Sequence, residues 1–364
     1  MAYSAQQQDA KQDANQDAND VTIKGVVGIQ NMGNTCYCNS TLQLLRACSE
    51  WSVYCITNDF NTLENRQNSK AIILAYQDIL KTLWSAYKPA YVRPLGFICE
   101  IQKAVRGTVY ESFAFPMQHD SHEYLIYLLD QFHESLKIDK PYLEKDVIGD
   151  ETDKMKIRAE NAWNKYLSKN TSEIVRIFFG MMRKTIQCTN CNNKTYQWEI
   201  FNSIKVPCDG VTFYDWIRHE VNESSDIEGY KCDNCNGRYL AKKSSHIWKL
   251  PENLFITVHR FHHNGHKNMT HCPYNGQNIS FKDFFAEESD DPLREAVYEL
   301  RGVSDHHGTH MGGHYTAQFK HPISKEWWWF DDAQTHKINQ PNFSSSNYIF
   351  FFSHEAIKHV IQTQ

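Results

Sequence analysis

The chain has 364 residues, of which 41% are hydrophobic and 13% aromatic, so it holds enough apolar surface for a large folded core. Its formal net charge of −5 is small for this length, which argues against a nucleic-acid-binding protein. No N-terminal segment resembles a secretory signal peptide, and no apolar run approaches the roughly 20 residues that cross a membrane. We therefore expect a soluble protein of the cytoplasm or nucleus, without membrane or nucleic-acid partners, whose eleven cysteines are thiols or metal ligands.

The two ends of the chain differ from the rest. Residues Gln6–Asp20 read QQQDAKQDANQDAND, a polar near-repeat without aromatic or β-branched side chains. Such a segment cannot bury enough apolar surface to offset its chain entropy. We predict a disordered tail over residues 1–24, a folded unit over residues 25–356 and a short C-terminal tail over residues 357–364.

A first helix is predicted after Gly33-Asn34-Thr35, where Asn34 and Thr35 form a polar cap pair and Cys36 falls in the first turn. Its apolar residues recur at helical spacing: Cys38, Leu42, Leu45 and Cys48. A cysteine at this place has two interpretations. The unpaired amides and the positive end of the helix dipole favour a thiolate and suit an oxyanion, to which Asn31 offers a further donor. Alternatively, Cys36 is a buried small apolar residue.

A second helix is predicted to begin near Asp120. Asp120 and Glu123 lie in its first turn, where carboxylates suit the helix dipole. An apolar stripe then follows, formed by Leu125, Leu128, Leu129, Phe132 and Leu136.

Two C-x-x-C units lie in the middle of the chain, at Cys188 and Cys191 and at Cys232 and Cys235. Each unit can give two sulfurs to one tetrahedral metal, so the pattern predicts a structural zinc ion, with free thiols or a redox pair as alternatives. The gap between the units exceeds the usual zinc-ribbon spacing, and we expect a pair of strands and a loop to fill it. The zinc would then staple the tip of a two-stranded projection, without a catalytic role.

The last third of the chain reads as strands, because short β-branched or aromatic runs alternate with Gly, Pro, Asn and Ser. These runs are Leu254–Phe261, His314–Lys320, Glu326–Asp331 and Asn347–Phe352. A helical front and a β-rich back predict an α+β fold with any active site at the seam between them.

Two segments before His314 are rich in histidine, namely His262–Cys272 and Ser304–Gly313. His306 and His310 have the spacing of a helical metal-binding pair, but Gly308 and Gly312 disfavour a helix. We therefore predict flexible loops rather than a metal site.

His314 is the candidate base for Cys36, because Gly312-Gly313 allow close approach of the backbone and a strand begins directly after it. The turn at His321–Ser324 should reverse the chain and return Asp331 or Asp332 to the side of His314. Taken alone, an aspartate pair at a strand end is also typical of a solvated turn. The residues by themselves leave the choice between the two aspartates open.

These motifs resemble the ubiquitin-specific proteases, a family of deubiquitinating cysteine peptidases. The segment Gly28–Ser40 (GIQNMGNTCYCNS) with Leu42-Gln43 is similar to the cysteine box of the family. Gly313-His314-Tyr315 followed by Trp-x-x-Phe-Asp-Asp resembles its histidine box, and Gln118–Leu125 resembles its Gln-x-Asp-x-x-Glu-Phe segment, with Tyr124 in place of Phe. The resemblance spans Val27–His354.

The resemblance implies a papain-like domain with a thumb (about 25–170), fingers (about 171–250) that hold the zinc, and a palm (about 251–356). It implies that Cys36 is the nucleophile, Asn31 part of the oxyanion hole, and His314 the base. Asp331 would orient the base, with possible help from Asp332. The implied contacts to the tail of ubiquitin are Gln118, Asp120, Glu123 and Tyr315.

We therefore expect an isopeptidase that cleaves after the C-terminal Gly of ubiquitin, with ubiquitin and ubiquitinated proteins as partners. The compact length suggests that an activating protein partner could be needed. Two alternatives stay open: a protease for another ubiquitin-like modifier, and a catalytically weak adaptor that binds ubiquitin.

Overall fold

The structure is a computed structural model that describes residues 24–63, 67–87, 89–222, 224–262, 265–309 and 312–354. Apart from Lys24, the predicted tails lie outside the described residues, and so does His310. Among the described helices, none has the length and apolar character that crossing a bilayer requires.

The first half of the described chain is helical, as predicted. Its helices are α1 (Cys36–Ala47), α2 (Ser49–Thr57), α3 (Gln67–Leu83), α4 (Leu95–Ala104), α5 (Ser121–Leu136), α6 (Glu151–Asn170) and α7 (Glu173–Phe178). Helix α1 is buried along its whole length, so it lies inside the fold with neighbours on every side. This placement puts Cys36, the first residue of α1, at a junction between other elements.

The two predicted helices, α1 and α5, start in different ways. Asp120 caps α5 as expected, because its carboxylate accepts hydrogen bonds from the backbone amides of His122 and Glu123. Thr35 precedes α1, but the prediction that its side chain caps the helix is wrong. Its hydroxyl instead accepts a hydrogen bond from the amide of Met32, 2.8 Å away. Among the described residues, no side chain therefore caps the amides at the start of α1.

The second half of the described chain is built on β-sheet. Its strands are β3 (Gly180–Cys188), β4 (Lys194–Phe201), β5 (Ser203–Pro207), β6 (Ser225–Cys232), β7 (Gly237–Lys249), β8 (Asn253–His259), β9 (Ile279–Ser280), β10 (Val297–Thr309), β11 (Gly312–Lys320), β12 (Trp327–Asp331), β13 (Gln334–Ile338) and β14 (Asn347–His354). Helix α8 (Phe213–Val221) interrupts them, and the short strands β1 (Gly28–Ile29) and β2 (Tyr91–Val92) pair in parallel near the N-terminus. The α+β fold class is thus confirmed.

Within the described residues, the largest sheet has the order β13-β12-β11-β10-β14-β8-β5, with β9 paired to β10. Its pairs are antiparallel except for the parallel pair of β5 and β8. The predicted reversal after His314 is confirmed, because β11 and β12 form an antiparallel hairpin in which Lys320 pairs with Trp327. The prediction of a loop over Ser304–Gly313 is wrong for the part that is described. Ser304–Thr309 continues β10 and pairs with the start of β11, so the histidines there lie on strands.

A second sheet of the described chain has the order β4-β3-β7-β6. It corrects the expectation that a pair of strands and a loop fill the gap between the C-x-x-C units. Between Cys191 and Cys232 the chain runs through β4, crosses to the large sheet as β5, forms α8 and returns as β6. The C-x-x-C units therefore lie at the end of a four-stranded sheet rather than of a two-stranded projection.

One hydrophobic cluster joins helix α1 to the large sheet. Leu42, Leu44 and Leu45 of α1 pack in the same cluster as Phe319 of β11 and Phe330 of β12. Because α1 begins at Cys36 and the β11–β12 hairpin contains His314 and Asp331, this packing determines how the two parts of the candidate site face each other.

The β12–β13 turn makes a close backbone approach to β1. A Cβ atom added at Gly28 would lie 2.6 Å from the carbonyl oxygen of Asp332 and would also meet the backbone of Ala333. The amide of Ile29 donates a hydrogen bond of 2.8 Å to the same Asp332 carbonyl. Only glycine fits at position 28 without moving this turn.

We predict that Gly28→Ala lowers the free energy of unfolding by about 1–3 kcal/mol, because backbone atoms cannot move aside as a flexible side chain does. Gly96→Ala is the matched control. Gly96 lies in α4 with nothing within 4 Å of the added methyl group, so this change should leave stability equal or raise it by up to about 1 kcal/mol. Urea denaturation of both variants measures the difference, and equal stabilities would contradict the proposed clash.

Candidate active site

Cys36 is the first residue of α1 and its residue exposure is only 3%. Its backbone amide has no acceptor within the helix, because the first amides of any helix lack one. The chain reaches this position through two residues with positive φ, Gly33 at 100° and Asn34 at 56°. A φ of this size favours glycine at position 33.

Asn31 organises the turn before the cysteine. Its side-chain oxygen accepts hydrogen bonds from the amides of Gly33 and Thr35, at 2.9 and 3.1 Å. Its side-chain nitrogen donates to Asp332 at 2.9 Å, which leaves one of its two hydrogens free for another acceptor. Asn31 is therefore beside Cys36, but most of its hydrogen-bonding capacity holds the turn in shape.

His314 and Asp331 meet across the β11–β12 hairpin. Nε2 of His314 lies 2.5 Å from Oδ1 of Asp331, whereas its distance to Oδ2 of Asp332 is 4.0 Å. The structure thus pairs the ring with the first of the two aspartates. Since Nε2 is used in this way, Nδ1 is the ring nitrogen left for the hydrogen bond with the thiol of Cys36.

The environment of His314 raises its pKa to about 9. The hydrogen bond with Cys36 is the largest cause, and the hydrogen bond with Asp331 acts in the same direction, while partial burial opposes them. His314 is therefore protonated at neutral pH. A cation in contact with a sulfur at a helix N-terminus favours the thiolate, which is the reactive form of cysteine.

Asp332 joins the hairpin to helix α1 instead of contacting the ring of His314 directly. Its carboxylate accepts a hydrogen bond from Nδ2 of Asn39 at 2.7 Å and another from Asn31 at 2.9 Å. Asn39 was not identified from the sequence, although it lies one helical turn after Cys36 and so shares its face of α1. That spacing was the available signal.

Gln118 also supports the hairpin. Its side-chain amide donates to the carbonyl of Gly313 and accepts from the amide of Gly313, both at 2.7 Å. Gly313 in turn lies against the ring of His306, and an added Cβ would clash with it. Burial lowers the pKa of His306 to about 4, so this neighbour stays neutral beside the His314 cation.

The other residues expected to bind substrate differ in exposure. Glu123 is exposed, and partial burial with the nearby Asp120 raises its pKa. Asp120 has both carboxylate oxygens in use, one on the α5 amides and one on the hydroxyl of Tyr348. Tyr315 is only 6% exposed, so its side chain packs inside the fold and offers little surface to a substrate.

The two C-x-x-C units come together as predicted. Sγ of Cys188 lies 4.0 Å from Sγ of Cys235, and Sγ of Cys191 lies 3.6 Å from Sγ of Cys232. Zinc–sulfur bonds of about 2.3 Å in a tetrahedron require sulfur–sulfur distances of about 3.8 Å, so the four thiols fit a zinc ion. Each unit is followed by an asparagine with positive φ, Asn192 at 58° and Asn236 at 52°, so the two turns have the same form.

We predict that the ring of His314 titrates with a midpoint near pH 9, measured by NMR of labelled imidazole nitrogens. Asp331→Asn and Cys36→Ala should each lower the midpoint, because each removes a partner that stabilises the imidazolium. His306 is the internal control and should remain neutral above pH 5 in all three proteins. A midpoint between pH 6 and 7 in the unmodified protein would contradict the ion pair.

Comparisons with known proteins agree with this geometry. The ubiquitin carboxyl-terminal hydrolase family matches residues 27–352. Human ubiquitin carboxyl-terminal hydrolase 2 is 28% identical over 350 residues, which cover 92% of this chain and 56% of that protein. The chicken protein of the same name is 29% identical over 346 residues, which cover 91% of this chain and 94% of that protein. The chain thus spans about half the length of the mammalian relatives it matches.

Solved structures give the same fold. The SAGA Ubp8/Sgf11/Sus1/Sgf73 DUB module bound to ubiquitin aldehyde contains a chain that superposes with a TM-score of 0.69 at 22% identity, covering 96% of this chain and 75% of that chain. The module bound to monoubiquitin gives a TM-score of 0.70 at 21% identity, with the same coverage. Because the family match takes in the turn before Cys36 and both strands of the hairpin, this chain belongs to the ubiquitin carboxyl-terminal hydrolase family and, within it, to the ubiquitin-specific proteases.

Proposed function

We propose that the protein is a thiol-dependent isopeptidase that hydrolyses the bond after the C-terminal Gly of ubiquitin on modified proteins or chains. The observation that carries the proposal is the arrangement of Cys36, His314 and Asp331, in which the imidazolium contacts both the thiol and the carboxylate. Family membership supports ubiquitin as the substrate.

In the proposed reaction, the Cys36 thiolate attacks the carbonyl carbon of the terminal Gly and forms a carbon–sulfur bond. The amide of Cys36 and the remaining side-chain hydrogen of Asn31 bind the oxyanion. The bond to the lysine nitrogen breaks as His314 donates its proton to the leaving amine. Neutral His314 then takes a proton from the water that hydrolyses the thioester, and the sulfur leaves as thiolate.

The residues proposed to bind the substrate divide into two groups. Glu123 is exposed and available to a basic peptide, since carboxylates pair well with arginine. Asp120, Gln118 and Tyr315 already have partners inside the fold, so we assign them a supporting role around the cleft.

We predict that Cys36→Ala abolishes hydrolysis of a fluorogenic ubiquitin C-terminal reporter and that Asp331→Asn lowers kcat by roughly 10⁴-fold, as loss of the orienting carboxylate does in comparable triads. Cys38→Ala is the matched control, because Cys38 is a buried thiol of the same helix whose pKa burial raises to about 12. It should keep its activity. Hydrolysis by Cys36→Ala at the unmodified rate would refute the assigned nucleophile.

Electrophilic probes distinguish the substrate from other modifiers. A ubiquitin probe with a C-terminal electrophile should label Cys36, whereas equivalent probes of other ubiquitin-like modifiers should not. Labelling by another modifier alone would show a protease for that modifier, and ubiquitin binding without labelling would show an adaptor.

We further propose that Cys188, Cys191, Cys232 and Cys235 hold a structural zinc ion. The support is geometric, because one sulfur from each of the four cysteines lies within 4.8 Å of the other three. The ion would join the ends of β3 and β6 to the following strands. Four sulfur ligands would leave no open position for substrate.

We predict that the purified protein contains about one zinc ion per chain by elemental analysis, and that Cys191→Ser or Cys235→Ser removes it and lowers Tm by several degrees. Cys99→Ser is the control, because Cys99 lies in α4, away from the cluster. It should retain its zinc. Metal-free protein with an unchanged Tm would contradict the zinc site.

The remaining proposals concern the setting of the enzyme. We propose that the thumb ends at about residue 170 and the fingers at about residue 250, where the palm begins. We also propose that the protein works in a reducing compartment such as the cytoplasm or nucleus. Full turnover by the purified chain would remove the reason to propose an activating partner.

A further inference from the structure

Arg46 is a buried cation to which the described residues offer no carboxylate or carbonyl partner. It lies in the last turn of α1 with an exposure of 0%. Its Nε, Nη1 and Nη2 atoms have no hydrogen-bond acceptor among the described residues. Buried charges are normally paired or hydrogen-bonded, because removing them from water is costly.

Arg260 shows how this fold otherwise treats a buried guanidinium. It too has an exposure of 0%, but it donates to the carbonyl oxygens of Asn347, Thr270 and Asn268 at 2.7, 2.8 and 3.0 Å. The two arginines are thus equally buried, but the guanidinium of Arg260 has hydrogen-bond acceptors and that of Arg46 has none among the described residues. The difference calls for a function of Arg46 other than polar bonding.

What Arg46 does contact is a pair of aromatic rings. Its Cζ atom lies 4.7 Å from the ring centre of Phe319 and 5.0 Å from that of Phe330. The two rings stack on each other with centres 4.7 Å apart and an angle of 3° between their planes. Burial lowers the pKa of Arg46 to about 9, so the side chain is still a cation at neutral pH, and its guanidinium lies within the distance at which cations and aromatic rings attract each other.

These rings belong to the hairpin that carries the His314–Asp331 pair. Phe319 lies on β11 and Phe330 lies on β12, immediately before Asp331. The residue after Asp331 is Asp332, which Asn39 of α1 holds by a hydrogen bond of 2.7 Å. Both neighbours of Asp331 are therefore attached to the helix that begins with Cys36.

We propose that Arg46 is a positioning residue that holds Phe330, and through it the Asp331 carboxylate, in register with the helix of the nucleophile. Asn39 and Arg46 are two turns apart on one face of α1, about 10 Å along its axis. Two attachments at this distance fix both the position and the direction of strand β12, whereas one would leave it free to pivot. The inference rests on the proposed function, since it assigns Asp331 a part in that reaction.

The proposal implies that Arg46 acts against the stability of the fold. An unpaired buried guanidinium is costly, and replacement of buried charges by apolar side chains of similar size is often neutral or stabilising. Methionine has a similar length and can follow the same path between neighbours. Arg46→Met should therefore fold at least as well as the unmodified protein while orienting Asp331 less well.

The first experiment compares Arg46→Met with Arg260→Met by thermal unfolding. We expect Tm of the first to be unchanged or raised by up to about 5 °C and Tm of the second to fall, because the second leaves carbonyl groups without their donor. In Arg46→Met we expect kcat to fall by about 10- to 100-fold with KM unchanged, since Arg46 does not contact substrate. The NMR titration midpoint of His314 should also move down from about 9.

A double-mutant cycle tests whether the ring is the intermediary. Phe330→Leu removes the aromatic face but keeps an apolar side chain, so it should lower Tm and kcat when Arg46 is present. In the Arg46→Met background the same change should cost much less. Additive effects on Tm and kcat would overturn the proposal, and so would a loss of Tm in Arg46→Met equal to that in Arg260→Met.

Failure of the proposed function can be told apart from failure of this inference. If no ubiquitin reporter is cleaved by any variant, the function fails, but Tm and the His314 titration still report on Arg46. If the unmodified protein is active, and Arg46→Met shows the same kcat and the same His314 titration midpoint as the unmodified protein, the inference alone fails.

Discussion

The attachment of the Asp332 turn to helix α1 is the interaction on which the site depends. The carboxylate of Asp332 binds Asn31 and Asn39, and its carbonyl binds the amide of Ile29. These contacts join the beginning of the chain to a hairpin near its end. Together with the packing of α1 against the hairpin, they fix the distance between the cysteine on the helix and the histidine on the sheet, which no continuous element connects.

Given that attachment, the electrostatics of the site follow. The amides at the start of α1 have no side-chain cap, so the positive end of the helix dipole acts on the sulfur of Cys36. His314 lies between this sulfur and Asp331, and both contacts favour its protonated form. The ring of His314 therefore has both of its partners in place before substrate arrives, which is how preorganised sites avoid reorganisation during reaction.

The geometry of the cysteine cluster, unlike that of the His314 site, is set by short segments of the chain. Each C-x-x-C unit closes locally in a turn that ends with an asparagine of positive φ, so the ligand geometry is encoded within a few residues. The chain between the units leaves the cluster, adds strand β5 to the large sheet, forms helix α8 and then returns as β6. A local turn thus sets the metal ligands, and the long connection contributes to a separate part of the fold.

The sequence by itself determined the features with a local cause. Helical periodicity predicted α1 and α5, and short β-branched or aromatic runs predicted the strands of the last third. The turn after β11 predicted that an aspartate returns to His314. Contacts between distant segments decided the rest: that Nε2 meets Asp331 rather than Asp332, that Thr35 turns away from its helix towards Met32, that Ser304–Thr309 pairs as a strand, and that Gln118 holds Gly313. The Arg46 contacts are of the same kind, since nothing near it in the chain predicts the stacked rings on which it lies. Local propensity covers a few residues, whereas these pairings depend on which surfaces the whole chain brings together.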